Sequence, residues 1–103
     1  MILFRKKPRA RITVELKIIG FFLGEYVNVV AKLAMDEGCS PSRMLREARE
    51  EGLISPALHA HLRRHRRAFS FQRNGELLPP GSYRRARLAA GDSLLVFSAL
   101  SGG

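Results

Sequence analysis

The stretch Gly91-Asp92-Ser93-Leu94-Leu95-Val96-Phe97-Ser98-Ala99-Leu100-Ser101-Gly102-Gly103 joins a turn, an apolar run and a tail of small residues. Leu94 to Phe97 is apolar at every position, which suits a strand with neighbours on both sides better than an edge strand, and places Leu95 and Phe97 in the core beside Leu94 and Val96. Past Ser98 the side chains shrink until Gly102 and Gly103 leave an α-carboxylate with no Cβ nearby, on a backbone open to almost any φ/ψ. Such a tail can thread a narrow channel. A lone terminal Gly-Gly also reads as ordinary fraying residues, so the functional reading depends on the rest of the chain.

Working outward, Asn74-Gly75 is the strongest short hairpin signal available. It sits between Ala68–Arg73, where Phe69 and Phe71 alternate with Ser70 and Gln72, and the short return strand Glu76–Leu78. Pro79-Pro80-Gly81 ends that strand, and Ser82 to Leu88 reads as a loop or single turn that carries Tyr83 and Leu88 inward. At the other end, Ile12, Val14, Leu16 and Ile18 alternate with Arg11, Thr13, Glu15 and Lys17. Val27, Val29, Ala31 and Leu33 likewise stand opposite Asn28, Val30 and Lys32, so Arg11 to Ala34 is an antiparallel hairpin turning near Gly24.

Between these strands lie two helix signals. Ser40-Pro41 supplies an N-cap and a proline at the first helical position, Met44, Leu45 and Ala48 form one stripe, and Gly52 stands ready to cap the end. Ser55-Pro56 opens a shorter helix with Leu58 and Leu62 as its apolar side, and this piece reads as an insertion. A final strand needing two neighbours finds one in Arg11–Leu23, and the intervening helix lets the two run parallel. The expected fold is therefore α+β of the β-grasp kind: a mixed four- to five-stranded sheet packed on one main helix, with an extra short helix.

Composition limits the function classes. A chain of 103 residues with 46% apolar side chains is one domain able to bury a core unaided. A single cysteine, Cys39, excludes an internal disulfide and points to a reducing, cytoplasmic setting. Ile18–Leu23 is far short of a bilayer span, so no membrane anchor is expected. The formal charge of +9 implies an acidic partner. The excess lies in Arg5-Lys6-Lys7, Arg9 and Arg11, in Arg63, Arg64, Arg66 and Arg67, and in Arg84, Arg85 and Arg87. Nucleic acid is the competing partner, but no aromatic residue interleaves the basic runs to stack bases.

From Asn74 onward the chain resembles the ubiquitin-like sulfur carriers, a family that includes the thiamin-pathway sulfur carrier and the small subunit of molybdopterin synthase. The resemblance rests on Asn74-Gly75-Glu76, Pro79, Tyr83, Leu88, Gly91-Asp92, the apolar strand and Gly102-Gly103, in that order. Ser98-Ala99-Leu100 lacks the paired prolines common in the molybdopterin branch. The chain is expected to divide into three parts: residues 1–10 as a basic lead-in, which departs from that family, 11–98 as the β-grasp domain and 99–103 as a flexible tail. The resemblance implies that the chain is no enzyme, though it could serve as a synthase's small subunit. A ubiquitin-activating-type adenylyltransferase would spend ATP on the Gly103 carboxylate, with Gly102, Ser101 and Leu100 as the threading tail. A persulfide donor would then supply sulfur and an acceptor synthase would take it, with no bound cofactor or metal. Arg63, Arg64, Arg66 and Arg67 are assigned to docking on the partner. A ubiquitin-like modifier, whose activated carbonyl meets a lysine amine, shares every one of these features, and a small basic nucleic-acid-binding protein is the third reading.

Other chemistry has less behind it. His61 and His65 are one helical turn apart, with His59 nearby, but a dense arginine cluster poorly serves a cation. Cys39 precedes a helix N-terminus, a position that lowers a thiol pKa, yet no base stands beside it in sequence and a structural role is expected. The serines lack the Gly-x-Ser-x-Gly elbow of hydrolases.

Overall fold

In a computed structural model, which describes residues 10–98, Arg11–Phe22 (β1) and Glu25–Asp36 (β2) pair antiparallel along their whole length. The Leu23-Gly24 turn between them has both residues at positive φ, 52° and 77°, the backbone that matches the twist of a two-residue hairpin. Alternation sends Ile12, Val14, Leu16, Ile18 and Phe22 of β1 inward, and Leu33 and Met35 of β2 join them.

Helix α1 (Pro41–Glu50) starts where the Ser40 hydroxyl accepts a hydrogen bond from the Arg43 N–H at 3.1 Å. It ends where Gly52 takes up φ +77°. Met44, Leu45 and Ala48 are its buried stripe. Helix α2 (Pro56–Arg64) repeats the device, with the Ser55 hydroxyl accepting from the Leu58 N–H at 3.0 Å. Its expected apolar side, Leu58 and Leu62, is buried together with His59, Leu62 completely, so α2 packs into the core.

Ser70–Arg73 (β3) and Glu76–Leu77 (β4) form the second hairpin around Asn74 and Gly75, at φ 51° and 83°. Ser93–Ser98 (β5) runs parallel to β1 on one side and antiparallel to β3 on the other, which gives the order β2-β1-β5-β3-β4. The fold is α+β and β-grasp-like, a five-stranded mixed sheet with both helices on one face. The loop before β5 is tied in from the same side. Tyr83 stacks on Phe71 with ring centroids 4.2 Å apart, and the Leu88 N–H and carbonyl bond to the Cys39 carbonyl and the Gly38 N–H at 2.8 and 3.0 Å.

One expectation fails at β5. Leu94 and Val96 are buried, but Leu95 is only half-buried and Phe97 is 39% exposed. A central place in a sheet satisfies the backbone on both edges of the strand, whereas burial of both side-chain rows requires layers on both faces. Here the helices cover one face and leave the other open.

Candidate functional site

Residues 1–9 and 99–103 lie outside the described residues, and with them lie Leu100, Ser101, Gly102, Gly103 and the Arg5-Lys6-Lys7 cluster. The structure does describe the platform from which residue 99 departs. Ser98 is paired with Gly20 at the last rung of the β1–β5 ladder. Gly20 has φ +130°, and a Cβ there would stand 2.5 Å from the Ser98 carbonyl oxygen, so only glycine permits this approach. The direction in which β5 leaves the sheet is therefore fixed by a residue near the far end of β1.

The start of β5 is fixed by a polar clasp. The Asp92 carboxylate accepts from Arg73 Nε and Nη2 at 3.1 and 2.8 Å, from Asn74 Nδ2 at 2.9 Å and from the Ala89 N–H at 2.7 Å. Asn74 Oδ1 in turn accepts from the Ser93 N–H at 2.8 Å. Burial by itself raises the Asp92 pKa, but the bonds from Ala89, Asn74 and Arg73 outweigh it and hold the carboxyl below its ordinary value. Asn74-Gly75 thus shapes a hairpin and also locks it to the entry of β5.

Beside β5 the open face of the sheet carries an apolar patch. Phe21, Tyr26, Val30, Phe97 and Leu77 are all at least 39% exposed, and the Phe21 and Tyr26 rings meet edge to face with centroids 5.4 Å apart. Half-buried Ile19 and Leu95 bridge them, since Ile19 is paired with Phe97 and Leu95 with Gln72. Lys17 stands between Val30 and Leu95, and Gln72 between Leu95 and Leu77, so the continuous apolar strip is Tyr26, Phe21, Ile19, Phe97 and Leu95, with polar side chains at its border. A contiguous apolar area with a polar rim on a small domain marks an interaction surface. Leu95 and Phe97, expected in the core, belong to this face, and the parity of Phe21, Tyr26 and Val30 within the hairpin is the signal in the sequence for its apolar positions.

The other predicted residues separate. Arg63 and Arg64 close α2, and Arg66 and Arg67 sit on the single 3-10 turn that follows it, all on the helix side of the molecule and away from the open sheet face. Arg11 is committed to structure through an ion pair with Asp36 at 2.9 Å across the first hairpin. The His61 and His65 rings are neighbours, tilted with centroids 4.9 Å apart, but His61 also packs on Phe69, and His59 is buried elsewhere. Among the described residues no third histidine, cysteine or carboxylate joins them. Cys39 is buried, and burial pushes its thiol pKa up despite the helix that follows, which gives it a structural role in the core. No helix among the described residues is long and apolar enough to cross a membrane.

No protein-family model matches the sequence, and comparison with curated proteins gives no relative. Among solved structures the chain is similar to the solution structure of the Haloferax volcanii HVO 2177 protein, with a TM-score of 0.58 over 97% of this chain and 94% of that one, at 17% identity. At that identity the likeness speaks for the fold alone, and it agrees with the β-grasp-like arrangement of sheet and helices described above.

Proposed function

We propose that the chain is a ubiquitin-like sulfur carrier working through the Gly103 carboxylate. The observation that carries this reading is the placement of β5: a central strand clasped at its start by Asp92 and aimed at its end by Gly20 leads into Ala99-Leu100-Ser101-Gly102-Gly103. A rigid platform that delivers a small-residue segment into another protein's active site has use for both controls.

The chemistry then follows from what a carboxylate cannot do unaided. Gly103 carboxylate attacks the α-phosphorus of ATP on a ubiquitin-activating-type adenylyltransferase and releases pyrophosphate. A persulfide attacks the resulting acyl-adenylate, AMP departs, and a thiol cleaves the S–S bond to leave a thiocarboxylate on Gly103 and a disulfide on the donor. An acceptor synthase of cofactor biosynthesis takes the sulfur. The chain supplies the electrophile, and its partners supply the catalysis. The apolar patch around Phe97 offers the activating enzyme a face contiguous with the strand that carries the tail.

Two measurements test the proposal. Deleting Gly103 is expected to abolish ATP–pyrophosphate exchange by the cognate activating enzyme while leaving the urea midpoint unchanged, because the residue lies past the last strand; an unchanged exchange rate overturns the carrier reading. Intact mass spectrometry of the protein from its own host is expected to show a thiocarboxylate, sulfur replacing one oxygen. A mass increased by a whole second protein would instead assign the chain as a modifier, with a lysine amine as the attacking group.

A further inference from the structure

Away from the sheet's open face, five arginines line a single cavity of about 420 Å³: Arg43 and Arg46 of α1, Arg63 of α2, Arg66 of the 3-10 turn and Arg84 of the loop that leads to β5. None of the five takes part in an ion pair among the described residues. Glu47, one turn after Arg43, lies in an adjoining hollow with Arg43 and Arg84 and bonds to neither. Guanidinium groups gathered from four separate elements repel one another, and a fold tolerates the arrangement most readily when an anion occupies the centre.

The cavity also has two neutral polar groups that are almost wholly buried. His59 is 5% exposed and Tyr83 is 2% exposed, and both line it. No sealed polar side-chain atom among the described residues lacks a hydrogen-bond partner, so the polar atoms of His59 and Tyr83, which bond to no other described residue, open to the solvent of this cavity. Burial, together with the charges of Arg49, Arg63 and Arg46, holds the imidazole neutral, and burial raises the Tyr83 phenol, so each can offer a proton to an oxygen anion without losing it. Both line the same space as the arginines.

We propose that this cavity binds a compact oligophosphate: two or three linked phosphoryl groups, free or borne by a nucleotide. Planar guanidinium forks match phosphate oxygens two at a time, and five of them converging on one volume suit charge concentrated on adjacent phosphoryl groups. A nucleic-acid backbone spreads its charge along a line and needs a track of cations and stacking aromatics. The aromatic rings here, Phe71 and Tyr83, are stacked on each other and buried, so no face is free for a base. Recognition therefore rests on the phosphates, and inorganic triphosphate should bind about as well as ATP. The site is independent of the tail chemistry, and a Gly103 deletion leaves it intact.

Calorimetric titration of the full chain with inorganic triphosphate, pyrophosphate and ATP, without magnesium and at physiological salt, tests this directly. One saturable site is expected for each. Arg46→Gln with Arg84→Gln should weaken triphosphate about tenfold or more, since each lost guanidinium removes charge-assisted hydrogen bonds. Arg64→Gln with Arg67→Gln removes the same charge from outside this cavity and should change the affinity little, because exposed charges are screened. Tyr83→Phe keeps the stack on Phe71 and should weaken binding severalfold at an unchanged melting temperature. Equal losses in the two double variants, or no saturation, would reduce the cluster to diffuse surface charge and overturn the proposal. So would single-stranded RNA that binds more tightly than triphosphate, because it would assign the arginines to a backbone track; ATP binding without triphosphate binding would overturn it as base recognition.

Discussion

Asp92 ties three separate segments of the chain together. Its carboxylate gathers the end of β3, the hairpin turn and the loop before β5, and it is 8% exposed. Asp92→Ala leaves the half-buried Arg73 guanidinium and two further donors without their acceptor, and should cost about 2 kcal/mol in urea melts at neutral pH. Because the folded pKa lies below the unfolded one, the stability from ionised Asp92 is full above the unfolded value and is lost as pH falls through the folded value. The gap between wild-type and Asp92→Ala melting curves should therefore narrow as pH drops below the ordinary carboxylate range; a gap constant with pH would show that the ionised form is not what stabilises. Gly20 is the second such residue. Gly20→Ala brings a methyl group against the Ser98 carbonyl oxygen at a φ that side chains avoid, so it should destabilise by about 2 kcal/mol. It should also lower pyrophosphate exchange more than its stability loss explains, since it disturbs the rung from which residue 99 departs. Exchange falling only in step with the folded fraction would remove Gly20 from any role in aiming the tail.

Strand β5 has two rows of side chains with different tasks. Leu94 is 1% exposed and faces the helices, and Phe97 is 39% exposed and faces away from them. Leu94→Ala should cost about 3 kcal/mol through lost transfer energy and a cavity that the packed layers cannot close. Phe97→Ala removes area that water already touches and should cost about 1 kcal/mol. The order of effects should reverse for the activating enzyme, where Phe97→Ala raises the half-saturating carrier concentration and a correctly folded Leu94 variant does not. Chemical denaturation and exchange kinetics on the two variants check this, and equal destabilisation by both would mean that a layer covers the open face. Helix α2 belongs to the same argument at this scale: with Leu62 fully buried, it is a second wall of the core.

At the scale of the molecule, the open sheet face carries an apolar strip around Phe97 among polar side chains, and the helix side gathers arginines, in a chain of formal charge +9. We assign long-range steering to exposed arginines such as Arg64 and Arg67, and close contact to the patch around Phe97. Reversing Arg64 and Arg67 to glutamate should slow association with the activating enzyme in stopped-flow measurements at low salt. The effect should fade as the screening length drops to about 3 Å near 1 M salt, with the melting temperature unchanged. An association rate indifferent to the reversal would leave those charges to solubility alone. Much of this architecture is legible in the sequence because its signals are local. Ser40-Pro41 and Ser55-Pro56 start helices through bonds made within one turn, Asn74-Gly75 and Gly24 accept the φ that a tight hairpin demands, and alternation over Ile12–Ile18 sets which side chains share a face. The run Leu94–Phe97 likewise placed β5 between two neighbours, since backbone pairing favours an apolar strand at the centre. What the sequence could not determine is which side the helices cover, because a central strand reads the same whether one face or two are layered. Tertiary packing alone turned Leu95 and Phe97 outward, onto the face that also carries Phe21 and Tyr26, and brought Arg43, Arg63 and Arg84 around His59 and Tyr83. Those groups lie far apart along the chain, and only the closure of the α1, α2 and pre-β5 segments over one face of the sheet sets the distances between them.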